Sequence, residues 1–431
     1  MNKKIAIIQF PGINREYEAK RYVDYAGLEG VIFRWNRDHK DLEGYDGFVI
    51  PGGFSYEDRS RAGVIASLDP LMNTLKQEAE KGKPVLGICN GCQILMETGM
   101  VPGLPNYQLG GAMAENIRVR ESKILGTGFF NDWVHIKNVA KPGRTVFNIA
   151  IKEGEYARVP VANGEGRFVL DAKVYEQMKK NGQVIFKYCD AEGNEKDEFP
   201  VNPSGAQDGI VGICNPTGNV MALMPHPENS PEGMGIFNSL AQYLDRENTN
   251  NANNAKNFVL KADPFKRDIK QYQLPKNCLG LAVDLIITDN EARTVATALK
   301  NAGFENVDVE RKTHWEVCYS NNVADVKDLK DRIIKTDELL NTNKELVVDK
   351  LEKSDKVYNI KVAYQNDYVG KSKLNTLKNR LGFKELVDIK KSVIWQIKIN
   401  EDDAKKREEI YQKVLDTNIF YNPFSQECKK Y

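Results

Sequence analysis

The stretch Gly87-Ile88-Cys89-Asn90-Gly91, followed by Cys92 and Gln93, is the chain's first candidate for chemistry. It stands where a strand-like apolar run, residues 84–88, gives way to a helix-compatible stretch, 91–100. A nucleophile with a glycine two residues to either side fits the sharp strand-to-helix turn that lifts a reactive group above a sheet. Here the group is a thiol, and at a helix N-terminus the dipole and the unpaired N–H groups favour its thiolate. Such a thiolate attacks acyl carbons and needs a base, and the chain has 4 histidines to supply one. His39 sits among charges, His135 reads as a packed or edge-strand residue, and His314 lies far along the chain beside Trp315. His226 stands in Met224-Pro-His-Pro-Glu228, after the apolar run 220–224. The two prolines hold it in an extended loop, and Glu228 can accept the second imidazole N–H and fix the tautomer. Alone, this pentapeptide reads equally well as a rigid loop with an incidental histidine. A third segment, Pro51-Gly52-Gly53, also follows an apolar run. Gly53 and Asn90 can each offer a backbone N–H to an oxyanion, and donors of this kind are worth roughly 3–4 kcal/mol. Together the three segments point to a Cys89–His226–Glu228 triad.

The elements that must position these residues alternate. Apolar runs at 4–10, 30–35, 47–51 and 84–88 are separated by helix-compatible stretches at 16–27 and 71–81. That alternation predicts an α/β fold with a mostly parallel sheet, whose chemistry gathers in loops at the carboxyl ends of strands.

Composition bounds the rest. The 431 residues carry 61 Lys+Arg against 60 Asp+Glu, with 41% hydrophobic residues. This is an ordinary globular balance, without the basic excess of a general nucleic-acid or anionic-membrane binder. Seven cysteines are too few, and odd in number, for a disulfide framework. The apolar run near the start is shorter than a secretory signal or a spanning helix requires. A reducing cytoplasm is expected.

An Asn-crowded stretch after Leu244 reads as a linker. Beyond it the chain repeats itself. Leu299-Lys-Asn-Ala-Gly303-Phe304 corresponds to Leu377-Lys-Asn-Arg-Leu-Gly382-Phe383, and Asp308-Val309 with Trp315 to Asp388-Ile389 with Trp395. Each copy reads strand, helix, Gly-Phe turn, strand, strand, helix. The expected domains are 1–247 for the catalytic unit, 248–278 for the tether, and 279–352 and 353–431 for two small α+β units packed together.

The three strand-end segments together resemble the class I glutamine amidotransferases. Closer still, residues 51–63 (Pro-Gly-Gly-Phe-Ser-Tyr-Glu-Asp-Arg-Ser-Arg-Ala-Gly), 87–91, 214–219 (Cys-Asn-Pro-Thr-Gly-Asn) and 224–228 are similar to the glutaminase subunits of phosphoribosylformylglycinamidine synthases. The resemblance runs in order from Lys4 to Leu244. It implies a flavodoxin-like parallel or mixed sheet with helices on both faces, followed by a tandem α+β scaffold. It also implies that Cys89 forms a glutamyl thioester, that His226 shuttles the proton and that Glu228 orients His226. By the same resemblance Gly53 and Asn90 form the oxyanion hole, Gly52, Gly53 and Gln93 lie against glutamine, and Arg61 serves loop order or partner contact. It assigns no cofactor or metal to this chain, and it places ATP and Mg on a synthetase partner subunit. L-glutamine and that subunit are the implied partners, with no nucleic acid and no membrane. Three departures, Glu57 for glycine, Cys92 for an aromatic residue and Asn163 for histidine, bear on the loop around Tyr56 and on contacts near Asn163. Each C-terminal copy resembles the small accessory subunit of the same synthase, which works as a dimer.

Competing readings are simpler. Cys89-Asn-Gly-Cys92 has the spacing of a redox or zinc pair, but no second pair completes a zinc site. Val369-Gly370-Lys371-Ser372 echoes a phosphate loop without its first glycine. Against the ammonia-supplying glutaminase stand a self-sufficient thiol hydrolase of γ-glutamyl or peptide bonds and a non-catalytic assembly subunit.

Overall fold

Ile5, Ala6, Ile7 and Ile8 are wholly buried, as parallel strands covered on both faces require. The computed structural model describes residues 3–245, 258–263 and 267–431, in two compact units, Met1–Pro264 and Phe265–Tyr431. In the first, β1 (Lys4–Gln9), α1 (Glu16–Tyr25), β2 (Glu29–Arg34), β3 (Gly47–Ile50), α2 (Val64–Ser67), α3 (Pro70–Glu80), β4 (Val85–Ile88) and α4 (Asn90–Glu97) follow in order. Next come β5 (Gly111–Ala114), β6 (Ile117–Arg120), β7 (Lys123–Thr127), β8 (Phe130–Asn138), β9 (Tyr156–Asn163), β10 (Arg167–Leu170) and α5 (Ala172–Lys180). The unit closes with β11 (Val184–Cys189), β12 (Ile210–Cys214), β13 (Val220–Leu223) and α6 (Met234–Asp245).

Among the described residues, the main sheet runs β2-β1-β3-β4-β13-β12-β11-β8-β9. The pairs from β2 to β13 are parallel, and those from β13 to β9 are antiparallel. The fold is therefore α/β with a mixed sheet. Local chemistry sets the ends: Asp69 accepts the Leu71 N–H at 2.9 Å with Pro70 opening α3, a side-chain cap joined to a preset first turn. The helix after Cys89 stops at Glu97, short of the expected 100, and Gly99 at φ 71° turns the chain there.

In the second unit, β14 (Cys278–Leu285), α7 (Asn290–Asn301), β15 (Val307–Tyr319), α8 (Val326–Ile334) and β16 (Glu345–Val348) form one set. They are matched by β17 (Val357–Tyr364), α9 (Tyr368–Asn375), β18 (Leu386–Ile399), α10 (Ala404–Asp416) and β19 (Gln426–Lys430). The strand order, β16-β14-β15-β18-β17-β19, places equivalent strands at equal distances from the centre. β15 and β18 pair antiparallel with Thr313 opposite Val393, Trp315 opposite Lys391 and Arg311 opposite Trp395. Thr313 thus faces its own counterpart, under the same shift that carries Trp315 to Trp395, and the register is two-fold symmetric about that pair. Each of α7 to α10 starts on an aspartate cap: Asp289, Asp325, Asp367 and Asp403.

The expected element order of each copy needs correction. The two middle strands are one long strand, since residues 307–319 hold no glycine or proline to interrupt it, and the last helix precedes the last strand. The cysteine expectation also changes. Cys278 and Cys318 face each other in the β14–β15 register and form a disulfide, Cα to Cα 4.0 Å. A sequence separation of 40 hides that pairing from a reading of spacing.

Of the expected tether, 248–257 lies outside the described residues, as does 264–266. The described flanks are docked on their own units. Leu260 is buried in the first core, and Lys261 N–H donates to Gln177 at 2.9 Å. Tyr272 N–H bonds Lys430 O at 2.6 Å in the second unit. Among the described residues no helix is long and apolar enough to cross a membrane.

Trp395 is 2% exposed and its ring lies 5.2 Å from that of Phe420. Trp395→Ala should destabilise the second unit by about 3–5 kcal/mol. Calorimetry of the full chain should show that unit's transition moving down while the first unit's stays in place.

Candidate active site

β3, β4 and β13 are neighbours in the sheet and run the same way. Their exits therefore open side by side, and each carries one of the expected segments: Gly52 and Gly53 after β3, Cys89 after β4, His226 after β13. The Cys89 N–H donates to Leu223 O at 2.8 Å, tying the turn after β4 to the end of β13. Cys89 itself sits at φ 51°, ψ −104°, as the residue that caps α4. An L-residue leaves its ordinary region only at a cost of order 1–3 kcal/mol, and such strain collects at functional sites.

His226 Nδ1 lies 2.6 Å from Glu228 Oε1, with both side chains almost fully buried. Burial works against a charge on His226, but the Glu228 carboxylate and the Cys89 sulfur outweigh it and raise its pKa from 6.5 to about 10. Gly52 lies flat against this pair. A Cβ there would meet His226 Cε1 at 2.6 Å and Cys89 Cβ at 3.3 Å, so only glycine lets thiol and imidazole approach. Gly53 adopts φ 149°. Its bridge to Ile13 is closed by Phe54 N–H to Gly12 O and Asn14 N–H to Gly52 O, which leaves the Gly53 N–H out of the bridge. The Asn90 N–H belongs to the first turn of α4, where helix donors have no intrahelical partner.

The side chains beside Cys89 form a network. Asn90 Nδ2 donates to Asp58 at 3.0 Å and to Gln93 Oε1 at 2.8 Å, while its Oδ1 accepts the Ser55 N–H at 3.0 Å. Gln93 Nε2 donates to Glu165 O at 2.8 Å, so its amide is engaged at both ends. Arg61, 2% exposed, pairs with Glu97 of α4 at 2.8 Å, which pins the 51–63 loop to that helix. Ala162 O accepts the Cys89 thiol at 3.7 Å. Burial lifts Asp58 from 3.8 to about 7 against the opposing pull of Asn90. Glu165 rises from 4.5 to about 7 through burial first and the Asp58 charge second, with Arg61 opposing. Sequence reasoning missed Asp58, Ala162 and Glu165; the one available signal was that Asp58 lies inside the 51–63 motif and Glu165 two residues beyond Asn163.

The departures find physical roles. Glu57 takes φ 59° between Tyr56 at 52° and Asp58 at 53°, a left-handed run in which glycine costs least. Cys92 is wholly buried and free, and burial raises its thiol well above the usual value, so it packs as a small apolar residue. Asn163 accepts from Asn116 Nδ2 at 2.9 Å and shapes the turn after β9. The Asn215–Asn219 loop is not brought to the site. Asn219 O accepts the N–H of Val85, the first residue of β4, at the opposite end from Cys89. Among the described residues, one set of three candidate metal ligands converges: Cys278, Glu316 and Cys318. Its two sulfurs are bonded to each other.

The profile of the family described as "CobB/CobQ-like glutamine amidotransferase domain" matches residues 2–254. The chain is 42% identical over 259 residues to "Phosphoribosylformylglycinamidine synthase subunit PurQ" of Methanothrix thermoacetophila, covering 56% of this chain and 98% of that protein. It is 37% identical over 250 residues to the protein of the same name from Methanocaldococcus jannaschii, covering 56% and 99%. A solved structure described as "Structure of PurLQS from Thermotoga maritima" aligns at 29% identity and a TM-score of 0.45, over 57% of this chain and 100% of that one.

Two stability effects are expected here. The folded chain holds the Asp58 proton more tightly than the unfolded chain, so its contribution is present below 3.8 and lost as pH rises through about 7. Asp58→Asn should therefore melt higher than the parent at pH 8, with the difference closing as pH falls below 4. Glu57→Gly should gain about 0.5–1 kcal/mol in denaturant unfolding, because the exposed pair it loses with Arg59 is worth little.

Proposed function

From the premise that this chain belongs to the CobB/CobQ-like glutamine amidotransferases, and its first 254 residues to the PurQ kind within them, we propose that it is the glutaminase component of a phosphoribosylformylglycinamidine synthase. It hydrolyses L-glutamine and passes the ammonia to an ATP-dependent synthetase subunit, which converts formylglycinamide ribonucleotide to the amidine in purine biosynthesis. The observation that carries this reading is the strained Cys89 beside the buried His226–Glu228 pair, at the exits of adjacent parallel strands.

The chemistry follows from the geometry. Cys89 Sγ adds to the carboxamide carbon, and the oxygen charge that develops meets the N–H groups of Gly53 and Asn90. His226, its charge favoured by Glu228, gives a proton to the leaving nitrogen. The C–N bond breaks, ammonia departs and a glutamyl thioester remains. His226 then takes a proton from water, the hydroxide adds to the thioester, and the C–S bond breaks to release glutamate and return the thiol.

The second unit we read as two fused copies of the synthase's small accessory subunit, joined as that subunit's dimer would be. The symmetric register about Thr313 and Val393 supports this reading. Fusion holds the scaffold near the glutaminase at high effective concentration without new contacts. ATP and Mg belong, on this reading, to the synthetase partner.

Glutamine hydrolysis should be slow in the isolated chain and stimulated by the synthetase subunit. Cys89→Ala should abolish it, with a loss of about 10⁴-fold or more. Partner-independent turnover of peptides, or activity retained in Cys89→Ala, would refute the assignment.

A further inference from the structure

Asn90 enters the chemistry above through its backbone N–H alone, yet its side chain is wholly buried and bonded on both oxygen and nitrogen. Its partners fix which way the amide faces. The Ser55 N–H can only donate, so the atom 3.0 Å from it is Oδ1. Nδ2 is then left to meet Asp58 Oδ1 at 3.0 Å and Gln93 Oε1 at 2.8 Å. Gln93 is fixed in the same way, because Glu165 O, 2.8 Å from its Nε2, can only accept. Neither amide can turn over without setting donor against donor or acceptor against acceptor.

What the Asn90 amide holds is the segment that follows Gly53. Three successive N–H groups of this segment donate alternately to two elements. Those of Phe54 and Tyr56 go to Gly12 O at 3.0 Å and Pro11 O at 2.7 Å, in the loop after β1. The one between them, from Ser55, goes to Asn90 at the start of α4. The segment needs such outside bonds. Tyr56, Glu57, Asp58 and Ser60 stand at φ 52°, 59°, 53° and 64°, a left-handed region that costs a residue with a side chain roughly 1–2 kcal/mol. Its far end returns to the same helix, where Arg61 pairs with Glu97 at 2.8 Å and a Cβ on Gly63 would meet Ile94 N at 2.7 Å. Gly53, at φ 149° and with no side chain of its own, takes its direction from these neighbours.

We propose that the Asn90 side chain is the positioning group of the oxyanion hole. It holds the Gly53 N–H in line with the N–H of Asn90 itself, so that one residue supplies one donor and aims the other. Asp58 acts behind it, keeping the amide turned with its oxygen toward Ser55. The inference rests on the glutaminase reading and adds to it the side chain that sets one donor against the other. An oxyanion forms only as sulfur adds to the carboxamide carbon, so a displaced donor costs turnover and leaves the thiol's own reactivity alone.

The test is Asn90→Leu, similar in size and without either bonding group, in the full chain with the synthetase subunit present. At saturating glutamine, where any loosening of Gln93 drops out, turnover should fall by about 100-fold or more, the loss expected for one oxyanion donor. Alkylation of Cys89 by iodoacetamide needs the thiolate but develops no oxyanion. Its rate should stay within about threefold of the parent, with Cys89→Ala as the blank. Should Asn90→Leu fail to fold, Asp58→Ala reaches the same amide from its other side and should lose about tenfold in turnover, with alkylation likewise kept. Turnover within about threefold of the parent in the folded variant would overturn the inference. So would turnover and alkylation falling together, which marks a support of the fold and not of the oxyanion. A parent without Cys89-dependent glutamine turnover would refute the glutaminase reading itself, and this inference with it.

Discussion

The backbone bond from the Cys89 N–H to the Leu223 carbonyl is where the catalytic half of this protein is held together. It joins the exit of one parallel strand to the exit of its neighbour, and so brings a thiol and an imidazole from 137 residues apart in sequence to one place. The bond fixes the turn that forces Cys89 into an unfavourable backbone region, and close packing sustains that strain. A Cβ on Gly91 would lie 2.0 Å from Ile50 O, and one on Gly87 would lie 2.4 Å from Gly91 O. Side chains at these glycines would push β3, β4 and α4 apart, and the site would open with them.

Residues singled out by their own chemical type were readable in the sequence, whereas those that the fold sets beside them were not. Cys89, His226 and Glu228 declare themselves by type, flanking prolines or glycines, and position after apolar runs. Asp58, Ala162 and Glu165 do not, because nothing local distinguishes a carboxylate that burial will lift to about 7 from one left in water. The parallel strands came through as continuous apolar runs for the reason that they are buried on both faces. The outer antiparallel strands β8 and β9 came through weakly because their burial is mixed. The same limit explains Cys278 and Cys318, whose meeting depends on strand register.

In the second unit the repeated words Gly-Phe, Asp-Val or Asp-Ile, and Trp located the repeat but gave no arrangement. The register supplies it. Once Thr313 lies opposite Val393, the equivalent pairs from Val307 to Cys318 follow, including the crossed contacts of the two tryptophans.

Carrying both repeats on one chain has a consequence for how this sheet comes apart. Subunits that meet across a two-fold axis do so with a dissociation constant, and at low abundance they separate. Here the β15–β18 seam closes within one polypeptide, so its formation is first order, and the entropy of bringing its strands together is that of closing the chain between them. Dilution, which parts two free partners, leaves this seam whole.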